Sequence, residues 1–377
     1  MKIGIVLYPT YGGSGVVATE LGKALAEKGH QIHFITYSEP VRLGTFRENI
    51  FYHEVTVSNY PLFEYQPYEV VLTSKMVDVV KHEKLDLLHV HYAIPHASAA
   101  YMAQQILKSE GIDIPFITTL HGTDITLVGK DKSFEPVISF CLDHSNAVTA
   151  VSESLKSDTY KHFKTKTNIE VIPNFIHLAR EYSAEETVER RRKYAKDDER
   201  IICHVSNFRK VKRVEDVVRI FCKINEKVPS RLLLVGDGPE RYNIELLCRE
   251  LGACDRVLML GKIRDTPKLL SIGDLFLLPS LTESFGLAAL EAMAVGVPVI
   301  STNSGGLPEV NMHGYSGFLS DVGDIEDMAK NGIKILEDIA TLQRFKFQAR
   351  EHANKFSLEA ILPRYEALYE NVLNKKD

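Results

Sequence analysis

The sequence predicts an α/β protein built from two doubly wound domains, each a parallel sheet covered by helices. Three observations predict it. Apolar, β-branched runs alternate with amphipathic stretches along almost the whole chain, those runs are continuous, and the pattern lapses once near the middle before restarting. Continuous apolar runs mark strands covered on both faces. Strand–helix–strand repetition demands right-handed crossovers and a doubly wound sheet. At roughly 100–200 residues per domain, a chain of 377 residues suits two such cores.

In the first half the predicted strands are Lys2–Leu7, Gln31–Thr36, Phe51–Val57, Asp86–His91, Pro115–Leu120, Asn146–Val151 and Ile169–Ile172. Helical periodicity fills Val16–Lys28, Glu69–Lys84, His96–Ser109 and Ser152–Phe163. Around Pro173–Arg200 the pattern fails, and Arg180 to Arg200 is dominated by Glu, Arg and Lys without an apolar run. The domain boundary belongs there, with 1–176 as the first domain and 177–200 as a linker. Strands resume at Ile201–Ser206, Arg231–Gly236, Arg256–Gly261, Asp274–Pro279 and Pro298–Thr302, with helices at Val214–Val228 and Leu287–Val295. Two amphipathic helices follow, Ile325–Glu337 and Leu358–Leu373. Such folds bind ligands outside the carboxyl ends of the strands, so two of them imply a cleft that those ends face.

Composition narrows the function. Lys+Arg number 45 against 50 Asp+Glu, a net charge of −5. No basic stripe suggests a nucleic-acid partner. No apolar stretch nears the ~20 residues of a spanning helix, and the start lacks a signal-peptide pattern. Five cysteines without a C-x-x-C pair suit reduced thiols. The expectation is a cytoplasmic enzyme without membrane insertion.

After the first predicted strand, Gly12-Gly13-Ser14-Gly15 opens a helix. Glycines there let backbone N–H groups approach an anion, helped by the helix dipole. Gly13-x-Gly15-x-x-Ala18, with Glu39 about 20 residues on, also matches a dinucleotide fingerprint. An NAD(P) oxidoreductase is therefore a rival reading. Its weaknesses are a long loop before the glycines and Pro40 directly after the acid.

Histidines gather at two predicted strand ends. His89 and His91 share a face and could converge on a metal, but no carboxylate or cysteine cluster lies near them in sequence. His121-Gly122-Thr123-Asp124 follows the next strand, where a neutral His121 can donate to a substrate oxygen while Asp124 holds its tautomer.

The second half carries a sharper signal. Glu283 stands just before a helix, and Glu291 is the only charge between residues 284 and 296. A buried carboxylate needs a partner, and ligand hydroxyls would serve. Gly286 at the helix start leaves N–H groups for a phosphate. A hydrolase pair is disfavoured, because eight helical residues span about 12 Å. Ser206-Asn207-Phe208-Arg209-Lys210-Val211-Lys212-Arg213 puts four cations after a strand, suited to a diphosphate. Gly236-Asp237-Gly238-Pro239 and Gly305-Gly306-Leu307-Pro308-Glu309 follow two more strands.

Together, Glu283-x7-Glu291, Lys212, Gly236-Asp237-Gly238-Pro239, Gly305-Gly306-x-Pro308-Glu309, Gly12-Gly13-Ser14-Gly15 and His121-Gly122-x-Asp124 resemble the GT-B fold retaining glycosyltransferases of family 4. Tyr8-Pro9, His89 to His96 and Ser206 to Arg213 look most like the branch of that family in the bacillithiol pathway.

The resemblance implies an acceptor-binding domain over 1–176 and a nucleotide-sugar domain over 201–357. Residues 358–377 would pack back on the first. It implies transfer of N-acetylglucosamine from UDP-N-acetylglucosamine to L-malate, the first step of that pathway, with no cofactor or metal. A different small anionic acceptor is the alternative, and homo-oligomerisation is left open. Glu283 would bind sugar hydroxyls and Glu291 the ribose. Lys212 would hold the diphosphate with the N–H groups of Gly286 and Leu287, and His121 would contact the sugar. Many relatives carry Arg where this chain has Asn207, which leaves Arg209 as substitute cation. Donor binding would also draw on Gly15, Asn207, Gly238, Ser284 and Phe285. Acceptor binding would draw on Gly13, Ser14, Tyr92, Thr119, Asn174 and Arg209.

Overall fold

A computed structural model describes residues 1–10, 12–44, 48–57, 66–127, 131–177 and 183–375. The chain divides into two compact units, one of Met1–Phe175 with Leu358–Asp377, the other of Ile176–Ser357.

In the first unit the strands are β1 (Lys2–Val6), β2 (Gln31–Thr36), β3 (Ile50–Glu54), β4 (Leu87–His91), β5 (Phe116–Leu120), β6 (Ala147–Ala150) and β7 (Ile169–Val171). They lie in the order β3-β2-β1-β4-β5-β6-β7 with every pair parallel. Ile3, Ile5, Phe34, Leu88, Val90, Phe116 and Ile117 are fully buried, which is why their runs do not alternate. The order reverses between β1 and β4, so their carboxyl ends form a switch point, where open α/β sheets bind ligands.

The second unit repeats the plan with β8 (Arg200–Val205), β9 (Ser230–Val235), β10 (Val257–Gly261), β11 (Leu275–Leu278), β12 (Val299–Thr302) and β13 (Gly317–Ser320). Its order is β10-β9-β8-β11-β12-β13, again parallel, with the switch point between β8 and β11. Val217, Ile220, Phe221 and Ile224 on helix Val214–Asn225 pack with Leu232, Leu234, Leu275 and Ile300 in one core.

Two differences from the sequence reading stand out. The expected linker 177–200 carries a helix, Ala184–Arg192, within the second unit; residues 178–182 of it lie outside the described residues. Ser183 caps that helix by accepting from the Glu186 N–H, and its first turn is acidic and its last basic. Caps and dipole-matched charges thus replace the missing apolar run. Arg191 on it reaches Asp274 at 2.6 Å, which Lys346 also holds at 2.8 Å. Burial alone would raise the Asp274 pKa, but Lys346 and Arg191 together keep it below the usual carboxylate value. The other difference is β13, too short and glycine-led to register as an apolar run.

Helix Leu358–Asn374 belongs to the first unit, where the rings of Tyr365 and Tyr369 are fully buried against His89. Among the described residues no helix is long and apolar enough to cross a membrane.

Candidate active site

In the first unit the glycine loop behaves as its chemistry requires. Helix Gly13–Glu27 starts behind Gly12 without a side-chain cap, so its first amides are open to an outside acceptor. Gly15 lies so close to the preceding loop that a Cβ would meet the carbonyl oxygens of Tyr8 and Thr10 at 2.6 Å. Ser14 Oγ and Tyr92 Oη share a 2.6 Å hydrogen bond, placing both beside the helix start. Tyr92 sits at φ +95, a conformation costly for a non-glycine residue. Burial raises its phenol to about 12, so it stays a neutral donor.

Around Tyr92 lies a network of imidazoles. His91 Nδ1 and His121 Nε2 are 2.8 Å apart, and the two rings stack at 5.1 Å. The register explains the meeting, because β4 and β5 pair His91 with Thr119, two residues before His121. The buried Nε2 of His91 has no partner. A bare lone pair there costs less than an unbonded N–H, so the His91 proton belongs on Nδ1, donated to His121. The free donor of His121 is then Nδ1–H. Burial lowers the pKa of His121 to about 3, and that of His89 likewise. Both are neutral at pH 7.

Two expectations are corrected here. Asp124 does not hold the His121 ring; it is buried and accepts from the backbone N–H of Ala93 at 2.9 Å and of Gly122 at 3.1 Å. Burial raises its pKa to about 6 against those backbone bonds. Thr119 is not an outward acceptor-binding group. Its hydroxyl is fully buried and engages His89 Nε2 and Thr149 Oγ1, both at 2.7 Å. His89 Nδ1 in turn meets Tyr369 Oη at 2.7 Å. Asn174, just after β7, behaves differently: its Oδ1 is buried and has no partner, as suits a ligand contact.

In the second unit, four loops pack in two pairs through glycines. Gly236, at φ +127, would place a Cβ 1.8 Å from the Ser206 carbonyl oxygen, and Gly238 would place one against the Phe208 backbone. Phe208 N–H donates to Asp237 O at 3.0 Å and Glu240 N–H to Phe208 O at 2.9 Å. Those contacts fix the segment bearing Asn207, Arg209 and Lys212. Asn207 and Arg209 are exposed, and Arg209 forms no ion pair among the described residues.

Lys212 Nζ lies 2.6 Å from Glu283 Oε1. Ser280, a buried hydroxyl the sequence reading missed, donates to the same oxygen at 2.9 Å. Only its place after a strand end could have signalled it. His204, also missed, bonds Leu277 O and Ser206 Oγ, and burial lowers its pKa to about 4. Gly305 and Gly306 lie against the backbone of Glu283 and Ser284, with Gly306 N–H donating to Glu283 O at 2.8 Å.

Gly286, at φ +99, precedes helix Leu287–Ala294 without a side-chain cap. Glu283 is therefore outside the helix and Glu291 inside it. Glu291 is half-buried rather than buried, with Thr266 Oγ1 at 3.5 Å among its partners. Phe285 turns its ring into the core against Phe356, leaving its backbone for any ligand.

Residues 11–180 match the family "Glycosyltransferase Family 4" and residues 186–352 match "Glycosyl transferases group 1". The chain is 49% identical over 375 residues to N-acetyl-alpha-D-glucosaminyl L-malate synthase of Bacillus anthracis, covering 99% of this chain and 97% of that one. It is 30% identical to an uncharacterized glycosyltransferase of Methanocaldococcus jannaschii, over 84% of each. Its fold is similar to sucrose-phosphate synthase from Thermosynechococcus elongatus, with a TM-score of 0.82, 22% identity and full coverage of both chains. It is equally similar to Anabaena HepE in complex with UDP and glucose, with a TM-score of 0.82 at 19% identity, covering 98% and 99% of the two chains. Against matches of this extent the NAD(P) oxidoreductase reading falls: the chain, with its two Rossmann-like units of the GT-B type, belongs to the family 4 glycosyltransferases.

Proposed function

We propose that this enzyme transfers N-acetylglucosamine from UDP-N-acetylglucosamine to the hydroxyl of L-malate, with retention at the anomeric carbon, as the first step of bacillithiol synthesis. The observation that carries the reading is the 49% identity, over nearly the whole of both chains, to the L-malate synthase of Bacillus anthracis. The geometry supports it. Lys212 and Glu283 put a cation and a carboxylate 2.6 Å apart, matching a diphosphate beside sugar hydroxyls. The N–H groups of Gly286 and Leu287 assist Lys212 on the phosphates. Arg209 adds a second cation, and Glu291 takes the ribose hydroxyls. Asn207, Gly238, Ser284 and the Phe285 backbone lie in the same loops, and Gly15 is a further proposed donor-binding residue.

For the acceptor, a dianion, the open amides of Gly13 and Ser14 at a helix N-terminus supply positive potential. Ser14, Tyr92 and Asn174 supply neutral hydrogen-bonding groups, and Arg209 is a candidate counter-ion. His121 offers Nδ1–H to the transferred sugar.

In the reaction the malate oxygen bonds to the anomeric carbon as the bond to the diphosphate oxygen breaks, on the same face of the sugar. The leaving phosphate oxygen accepts the malate proton. The protein contributes by positioning and by stabilising charge that grows on the diphosphate. Lys212, Arg209 and the helix amides fill the part a divalent ion would play, so the rate is expected to be unchanged in EDTA. Strict dependence on added Mg²⁺ would remove that role from the cations.

Mass spectrometry of products from UDP-N-acetylglucosamine and a panel of hydroxy acids and inositol phosphate tests the reading. A single glucosaminyl malate supports it. Transfer only to another acid, or stabilisation by NAD and not by UDP, overturns it.

A further inference from the structure

Away from those loops, the first unit brings two imidazoles and a carboxylate together on its β3 edge. β2 and β3 pair in parallel with His33 opposite Phe51 and Ile35 opposite His53. His33 and His53 are thus diagonal neighbours on one face of the sheet, a relation fixed by backbone register. Their rings lie 20° from parallel, and His33 Nδ1 and His53 Nε2 are 2.9 Å apart. Phe51 stacks on His33 at 4.7 Å and holds its orientation.

The third group is Glu83, the last residue of helix Tyr68–Glu83. Its backbone is pinned by Lys2 Nζ, which donates to Glu83 O at 2.9 Å. One donor atom from each of His33, His53 and Glu83 lies within 4.8 Å of the others, the one such cluster of three among the described residues. His33 is buried, while His53 and Glu83 are half-buried.

We propose that His33, His53 and Glu83 form a binding site for a borderline divalent transition-metal ion such as Zn²⁺, tying the edge strand β3 to the end of a helix. Two imidazoles and one carboxylate are a donor set that zinc and its neighbours accept, whereas Mg²⁺ and Ca²⁺ favour oxygen. Donors about 2.0–2.1 Å from zinc stand ~3.3 Å from one another in a tetrahedron. The imidazole nitrogens must therefore part by a few tenths of an ångström while the carboxylate draws in. The two half-buried side chains supply that movement on three backbone positions already fixed.

Burial lowers the pKa of both imidazoles, His33 to about 4. A neutral imidazole carries one lone pair and one N–H, and the 2.9 Å contact uses one of the two facing nitrogens as donor. A metal entering between them therefore requires one ring to change tautomer or give up its proton. Lys2 and Lys75 lie near enough to oppose a cation, and Glu83 and Asp78 offset them. The site spans β2 and the edge strand β3, and no residue proposed for sugar transfer belongs to it.

The metal-stripped full chain, titrated with Zn²⁺, Co²⁺ and Mg²⁺ by calorimetry and visible absorption, tests this. One Zn²⁺ or Co²⁺ per chain is expected, with Co²⁺ giving the strong visible bands of a low-coordinate site, Mg²⁺ giving no heat, and Zn²⁺ raising Tm by several degrees. Affinity should fall at least about tenfold in His53→Ala and in Glu83→Gln, with the transfer rate of both unchanged. Glu83→Gln keeps size and shape and decides the matter if His53→Ala folds poorly. No saturable binding below about 100 μM, or binding that both substitutions leave intact, overturns the proposal.

Discussion

The two units share one strand order up to the sixth strand but equip their switch points in opposite ways. In the first, the groups at the ends of β4 and β5 are mostly neutral and satisfied by one another, with buried Asp124 held by backbone N–H groups: His91 bonds His121, His89 bonds Tyr369 and Thr119, and Ser14 bonds Tyr92. In the second, the loops after β8 and β11 bring charge, with Lys212 against Glu283 and Arg209 exposed, on backbones held together by glycines. The contrast teaches that one scaffold supports two kinds of recognition. A buried neutral network sets direction and donor pattern, and a glycine-packed charged rim supplies electrostatic grip.

The sharpest way to separate the units is acid. Burial lowers the pKa of His33, His89, His91, His96 and His121 in the first unit, against His204 and His352 in the second. Because each folded value lies below 6.5, the unfolded chain takes up protons first. Their contribution is full above pH 6.5 and is lost as pH falls toward the folded values of about 3–4. Each costs on the order of 1 kcal/mol by pH 5.5. Folded Asp124, raised to about 6, takes up a proton and gives back roughly 1 kcal/mol. The first unit should therefore lose ~4 kcal/mol there against ~2 kcal/mol for the second. Hydrogen exchange at pH 7.5 and 5.5 is expected to show the first unit losing more protection than the second; equal loss in both would break the comparison.

Next in size, Lys212→Ala should lower kcat/KM by ~10²–10³, about 3–4 kcal/mol, and weaken UDP binding in calorimetry. A small loss would move the diphosphate onto Arg209. Gly236→Ala forces a Cβ onto the Ser206 carbonyl at positive φ and should cost about 2–4 kcal/mol, read as a lower urea midpoint.

The smallest expected effect sharpens the neutral side. His91→Leu removes the partner of His121 and should cut kcat about tenfold, ~1.4 kcal/mol, with KM little changed. His91→Asn, whose amide N–H can replace Nδ1–H, should restore most of it. A KM effect alone would mean that His91 only shapes the acceptor pocket.

Much of this was legible in the sequence, for a physical reason. Strands buried on both faces must be apolar throughout, so β1, β2, β4, β5, β8, β9 and β11 announce themselves, as do glycine loops at strand ends. What was hidden depends on neighbours in space. Helix Ala184–Arg192 has no apolar face and stands on its cap and on Arg191 reaching Asp274. Thr119 reads as a strand-end hydroxyl, and only the pairing of β4, β5 and β6 turns it inward to His89 and Thr149. The His91–His121 contact is likewise a product of register.

The tyrosine-bearing helix Leu358–Asn374 has a consequence for how the protein is made. Its side chains complete the core of the unit whose other residues leave the ribosome first, while the intervening unit holds all of its own segments within 176–357. The earlier-born unit is thus the later one to finish. Until Tyr365 and Tyr369 emerge, His89 lacks its Tyr369 hydroxyl and one wall of the sheet stays wet, so a nascent chain stalled before them should expose apolar surface to chaperones.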